Sequence, residues 1–198
     1  MSAVEELVAE CEAGELGWLS GVRRWALDEG RLRIGEPGRL LIVGQMPSRA
    51  SDNALPFHGS TGGRLALLLG LQSRNQLWRV LDAWNSWPRY VEGAGGDTFP
   101  RARAAELCAS VAVDATTCLL LGAAARAFGL RGDTPLFTPL NIPGRLGTTY
   151  YVAPHPSGRN RWWNSEGNRI NAAQFYARLA RACGIVTAGA PKLRGQEG

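Results

Sequence analysis

The segment HPSGRNRWWN, residues 155–164, gathers side chains that do chemistry and side chains that hold on to things. His155 is one of only two histidines in the chain; Arg159 and Arg161 follow it, and then the adjacent Trp162 and Trp163. With Gly158 and Asn160 among them, the segment is too polar and too glycine-rich to be a core element and reads as a loop. An imidazole can give or take a proton near neutrality, and guanidinium forks grip phosphate oxygens in pairs. The whole chain leans the same way: 22 Lys+Arg against 17 Asp+Glu give a formal charge of +5, nearly all of it arginine, since Lys192 is the only lysine. An anionic partner accounts for this. So does the codon bias of a GC-rich genome, which would also explain the abundant alanine and glycine; both can hold at once.

The elements that must position this loop are legible around it. Residues 40–43 (LLIV), TTCLLLG and TTYYVA are short apolar runs and read as buried strands. GRLALLLGL, RARAAELCASVAV and AAARAFGL read as helices, and NRINAAQFYARLARACG as a closing helix stopped at Gly184. Residues 3–29 have helix-like apolar spacing (Val4, Leu7, Val8, then Leu16, Leu19, Val22 and Trp25), interrupted near Gly14 and Gly17. Residues 77–84 fit helix and strand equally. Short apolar strands alternating with helices predict an α/β fold with a largely parallel central sheet. In such sheets ligands gather beyond the carboxyl ends of the strands. The loops there, 44–59, 85–99 and 154–168, carry the chemically interesting residues.

The length suits one domain, residues 1–188, with 189–198 a flexible tail. The longest apolar runs are far short of a membrane span. Cys11, Cys108, Cys118 and Cys183 are scattered with no CxxC pair, and no secretory pattern opens the chain. Reduced thiols in a soluble cytoplasmic protein are therefore expected. With one basic face and no heptad pattern, a monomer is expected.

Taken in order, these segments resemble the uracil-DNA glycosylase superfamily. IVGQMPSRASDNALPFHGSTGGRL is similar to its first motif, a strand ending in Gly-x-x-Pro followed by an aromatic residue in Pro-Phe-x-Gly-x-x-Gly. FPRARAAELCASVAVDATTCLLLGAAARAFGL resembles its helix–strand–helix middle, particularly that of the bacterial thermophilic-type branch. YVAPHPSGRNR resembles its last motif, His-Pro-Ser at a strand end before a DNA-inserting loop. The resemblance covers roughly residues 39–180. It implies a three-layer α/β/α fold around a four-stranded sheet, and a monofunctional enzyme that flips a pyrimidine out of DNA and hydrolyses its N-glycosidic bond.

On that resemblance, His155 is the donor to the base carbonyl as the base leaves with negative charge. Phe57 lies flat on the flipped ring. Asn85, after LDAW, reads the pyrimidine edge with its amide, although a turn-forming asparagine fits there too. Pro47, Ser48 and Ser157 belong to the loops that pinch the flanking phosphates, and Arg159 or Arg161 binds the strand. Trp162 or Trp163 wedges into the vacated stack. A mixed case is expected, with one tryptophan packed against the last helix and the other facing DNA.

The chain also departs from the family. The best-known members carry Asp or Asn before the motif's proline to position water; here Met46 stands there and can do no acid–base work. The thermophilic-type branch carries an acid one position earlier, where this chain has Gln45, able to orient water but not to deprotonate it. Asp52 is the nearest carboxylate and the candidate for water activation, with an Asx turn to Asn53 the competing explanation. That branch also binds an iron–sulfur cluster through four cysteines; only Cys108 stands at such a place, so no cluster, metal or organic cofactor is expected. The strictest uracil enzymes follow the proline with a tyrosine that blocks the pyrimidine C5 position. With Met46 and Ser48 lining the base, Ser48 leaves that wall open unless Met46 or His58 fills it, which suits a C5-modified pyrimidine, including a hypermodified phage base. Lys192 lies in the tail, which argues against Schiff-base lyase chemistry. The competing reading is a catalytically silent binder of nucleic acid or a free base.

Overall fold

The computed structural model describes residues 2–47, 55–91 and 99–185. Helix α1 (Ala3–Glu12) starts on a capping box between Ser2 and Glu5. Strands β1 (Trp25–Asp28) and β2 (Arg31–Ile34) form a hairpin whose two turn residues, Glu29 and Gly30, both have positive φ. Then come β3 (Leu40–Gly44), α2 (Ser60–Leu68), α3 (Leu77–Val80) and β4 (Asp82–Asn85). The second half runs α4 (Arg101–Ala109), β5 (Val111–Val113), β6 (Thr117–Leu121), α5 (Ala124–Ala127), β7 (Thr149–Ala153) and α6 (Glu166–Ala182).

The central sheet has four strands in the order β4-β3-β6-β7, all parallel. Parallel strands need both faces covered, and the strand residues divide by the two-residue pleat to supply both cores. Leu41, Val43, Cys118, Leu120, Tyr150 and Val152 face a cluster with side chains of α1, α4 and α5. Leu40, Ile42, Leu119 and Leu121 face a second cluster with α2, α3 and α6. The fold is thus a three-layer α/β/α sandwich. After β3 the chain turns into α2 on one face, and after β6 into α5 on the other, so these strand ends form a topological switch point, where such sheets place their binding crevice.

Two expectations are corrected and one open assignment is resolved. The helical spacing over residues 3–29 does not continue through Trp25, which begins β1; that strand is mostly exposed and shows no apolar alternation. The helix read over RARAAELCASVAV ends at Ala109, and Val111–Val113 instead pairs in parallel with β2, completing a second, three-stranded sheet. Residues 77–84, which fit either element, divide into α3 and β4. The closing helix ends in a Schellman motif, with Gly184 at φ +64° and Ile185 N–H donating to Ala180 O at 2.8 Å.

Candidate active site

Two glycines organise the carboxyl end of the sheet. Gly44 ends β3 in register with Asn85 at the end of β4. A Cβ at Gly44 would stand 2.6 Å from Asn85 Oδ1 and 2.8 and 3.0 Å from two ring carbons of Phe57. The missing side chain therefore lets an amide and an aromatic ring close on the strand end from two sides. Asn85 is only 5% exposed. Its backbone carbonyl accepts a hydrogen bond from Trp18 Nε1 at 2.8 Å, yet its side-chain amide has no hydrogen-bond partner among the described residues. The amide therefore has donor and acceptor capacity that a ligand edge could use. Phe57 is buried as well, and its backbone lies at φ +63°, a conformation bulky residues avoid unless the surroundings impose it.

Gly122 follows β6 at φ +57°. A Cβ there would lie 3.0 Å from Gln45 Nε2 and 3.0 Å from His155 Cβ, so the amide of the β3 loop meets the histidine of the β7 loop over this second glycine. His155 is largely buried, and loss of solvent lowers its imidazole to about 4. The ring is therefore neutral at physiological pH, with one nitrogen a donor and the other an acceptor. Neither nitrogen has a hydrogen-bond partner among the described residues.

Further side chains hold these loops. Ser86 Oγ donates toward Gly44 O at 3.0 Å and Gln45 O at 3.1 Å, while the Ser86 and Trp87 backbone N–H groups donate to the same two carbonyls. Asn160 organises the segment 155–164: its Nδ2 donates to His155 O at 3.1 Å and its Oδ1 accepts from Trp162 N at 3.1 Å. Trp163 Nε1 adds a second bond to His155 O at 2.9 Å. Trp163 is buried in the cluster with α6, and its role here is to fix the histidine's backbone. Trp162 is half-buried, edge-on to both Trp163 and Phe137, with ring centroids 4.9 and 5.7 Å away. The paired tryptophans are thus a built support for the loop, and Trp162 keeps only part of its surface free.

Asn85 and Phe57 therefore meet over Gly44, and Gln45 and His155 over Gly122, at the ends of two neighbouring strands. Met46 is half-buried and packs against the core cluster that holds Trp84, and Pro47 is half-buried beside it. Ser157 is half-buried, whereas Arg159 and Arg161 are exposed with no ion-pair partner among the described residues. Ser48 and Asp52 lie outside the described residues. Gly44, Gly122, Ser86 and Asn160 were given no role by residue chemistry; the sequence signals for the glycines are the Gly-x-x-Pro pattern at Gly44 and the place of Gly122 directly after an apolar strand.

Among the described residues, no three His, Cys, Asp or Glu side chains are grouped to hold a metal ion. Cys108 and Cys118 are buried, and burial pushes the Cys108 thiol up to about 12 and the Cys118 thiol higher still. No helix among the described residues is long and apolar enough to cross a membrane.

The sequence model described as Uracil DNA glycosylase superfamily matches residues 34–180, a span that contains both glycines and every side chain of the crevice. Among proteins of curated function, none matches the chain.

Proposed function

The chain belongs to the uracil DNA glycosylase superfamily, and from that premise we propose that it is a monofunctional DNA glycosylase releasing uracil or a C5-modified pyrimidine. A nucleotide turned out of the helix would enter the crevice with its ring on Phe57 and its Watson–Crick edge against the Asn85 amide. The C1′–N1 bond then breaks with its electron pair passing to the base, and the charge collects on the adjacent carbonyl oxygen. The neutral His155 ring donates a hydrogen bond there; in a dry pocket such a donor is worth roughly 3–4 kcal/mol of barrier. Water, oriented by the Gln45 amide, adds to C1′, with Asp52 the candidate acceptor of its proton. The products are a free base and an abasic site.

Pro47, Ser48 and Ser157 would hold flanking phosphates, Arg159 and Arg161 the strand, and the free edge of Trp162 the vacated stack. We assign residues 1–188 to a single domain, acting as a monomer in the cytoplasm. The small Ser48 supports a C5-modified base, and release of a phage's modified base would make the activity defensive rather than reparative.

The observation that carries the reading is the juxtaposition at the strand ends: the Asn85 amide beside the Phe57 ring over Gly44, and a neutral imidazole beside Gln45 over Gly122. Oligonucleotides carrying uracil, 5-hydroxymethyluracil, 5-hydroxymethylcytosine or its glucosylated form, single- and double-stranded, test it after alkaline cleavage. Abasic sites on at least one substrate are expected. A second reading, a catalytically silent binder, is favoured by Met46, which packs on the core and offers no acid–base group. It predicts tight binding to the same oligonucleotides with no abasic site on any.

A further inference from the structure

The crevice explains what Phe57 does but not how an aromatic residue is kept at φ +63°. The carbonyls of its two neighbouring residues, Pro56 and His58, are both held by side chains from one turn. Trp78 Nε1 donates to Pro56 O at 3.1 Å, and the Arg74 guanidinium donates through Nη1 to His58 O. The turn that presents these donors is itself fixed: Gln76 Oε1 accepts from Gln72 N–H at 2.7 Å and Ser73 N–H at 3.3 Å, in a capping box with Ser73. On the far side, Gly62 makes room: a Cβ there would fall 1.9 Å from Phe57 O and 3.2 Å from Arg74 Cδ. Pro56 is seated likewise against Gly21, where a Cβ would meet its ring at 2.9 Å.

From these contacts we infer that Arg74 and Trp78 are positioning residues, which hold Phe57 in advance of substrate as a rigid stacking platform. The inference rests on the glycosylase reading and adds to it that the base meets a preset ring rather than assembling one. The physical ground is the left-handed backbone, which a phenylalanine leaves for extended conformations unless its neighbours forbid it. Trp78 restrains the peptide that precedes Phe57 and Arg74 the peptide one residue beyond it, so losing either lets the segment relax and withdraws the ring for most of the time. Neither side chain needs to touch DNA.

The test uses conservative variants that keep the packing, Trp78→Phe and Arg74→Lys, with Arg74→Ala as the full deletion. Binding is measured to two otherwise identical oligonucleotides, one holding 2′-fluoroarabinouridine, whose glycosidic bond resists hydrolysis, and one holding a tetrahydrofuran abasic analogue with no base to stack. Trp78→Phe and Arg74→Ala should each weaken binding to the uridine oligonucleotide about tenfold and leave binding to the abasic analogue unchanged. Arg74→Lys, which retains a donor, should recover part of the loss. Equal losses on both oligonucleotides, or none on either, would overturn the platform inference even in a protein that releases base. A wild-type protein that binds the two alike and releases no base would overturn the glycosylase reading and the inference with it.

Discussion

Replacing Gly44 by alanine adds one methyl group at the place where the proposed base reader and the stacking ring meet. The new Cβ would lie 2.6 Å from Asn85 Oδ1 and 2.8 Å from Phe57 Cε1, where ordinary contact begins at 3.4 Å. Asn85 must therefore retreat by about 0.8 Å and the ring by about 0.6 Å, each into a well-packed interior. Gly44 has no left-handed backbone to lose, so the cost lies in this crowding. Overpacking of this size costs about 1–3 kcal/mol of stability, or roughly 2–12 °C in Tm. Displacements approaching 1 Å in a reacting site cost up to about 100-fold in rate. Single-turnover base release should thus fall about 30- to 100-fold in a protein that remains folded at 25 °C. Gly63→Ala is the matched control: no atom lies within 4 Å of its new Cβ, and in α2 the change should stabilise by up to about 1 kcal/mol. Unimpaired base release by folded Gly44→Ala protein would refute the argument that Asn85 and Phe57 must close on this glycine.

Other consequences are as direct. With His58 replaced by glutamine, His155 is the sole histidine, and its ring NMR signals should stay in the neutral position down to about pH 5 and shift with a midpoint near 4; a midpoint near 6.5 would contradict the buried neutral ring. Because its folded value lies below the unfolded 6.5, its stabilising contribution is complete above pH 6.5 and is lost as pH falls toward 4. It amounts to about 3 kcal/mol, visible as a shallower acid-side loss of stability in His155→Gln. Asn160→Ala removes the bonds to His155 O and Trp162 N and should cost about 1–3 kcal/mol in urea unfolding together with at least a tenfold loss of base release. Unchanged base release would remove Asn160 from the positioning of the histidine. Ser48→Tyr should abolish release of bulky C5-modified bases while sparing uracil, and equal loss on both would count against an open C5 position.

The layers of the fold were legible because strands buried on both faces leave unbroken apolar runs, as at Leu40–Gly44 and Thr117–Leu121. The hairpin β1–β2 was not, since its first strand is exposed and Trp25 happens to continue a helical spacing. The boundary between α4 and β5 was hidden for the opposite reason, an apolar run broken only by Ser110. At the site, the residues singled out by type, His155, Phe57 and Asn85, lie beside Gly44 and Gly122 at the carboxyl end of the sheet. What escaped was supporting structure. Gly44 and Gly122 act through a missing side chain, and Ser86 and Asn160 act through backbone carbonyls. Such roles leave no residue-type signal until the partners are brought together. Trp163 shows the converse, a residue type that suggests DNA contact but whose N–H holds the histidine's carbonyl.

The most direct test is single-turnover base release from the substrate preferred in the oligonucleotide panel, comparing wild type with His155→Ala. The account predicts abasic sites with wild type, and a rate lowered about 100- to 1,000-fold in the variant with oligonucleotide binding retained. Base release at an unchanged rate by His155→Ala, or tight binding by wild type with no abasic site on any substrate, would contradict it.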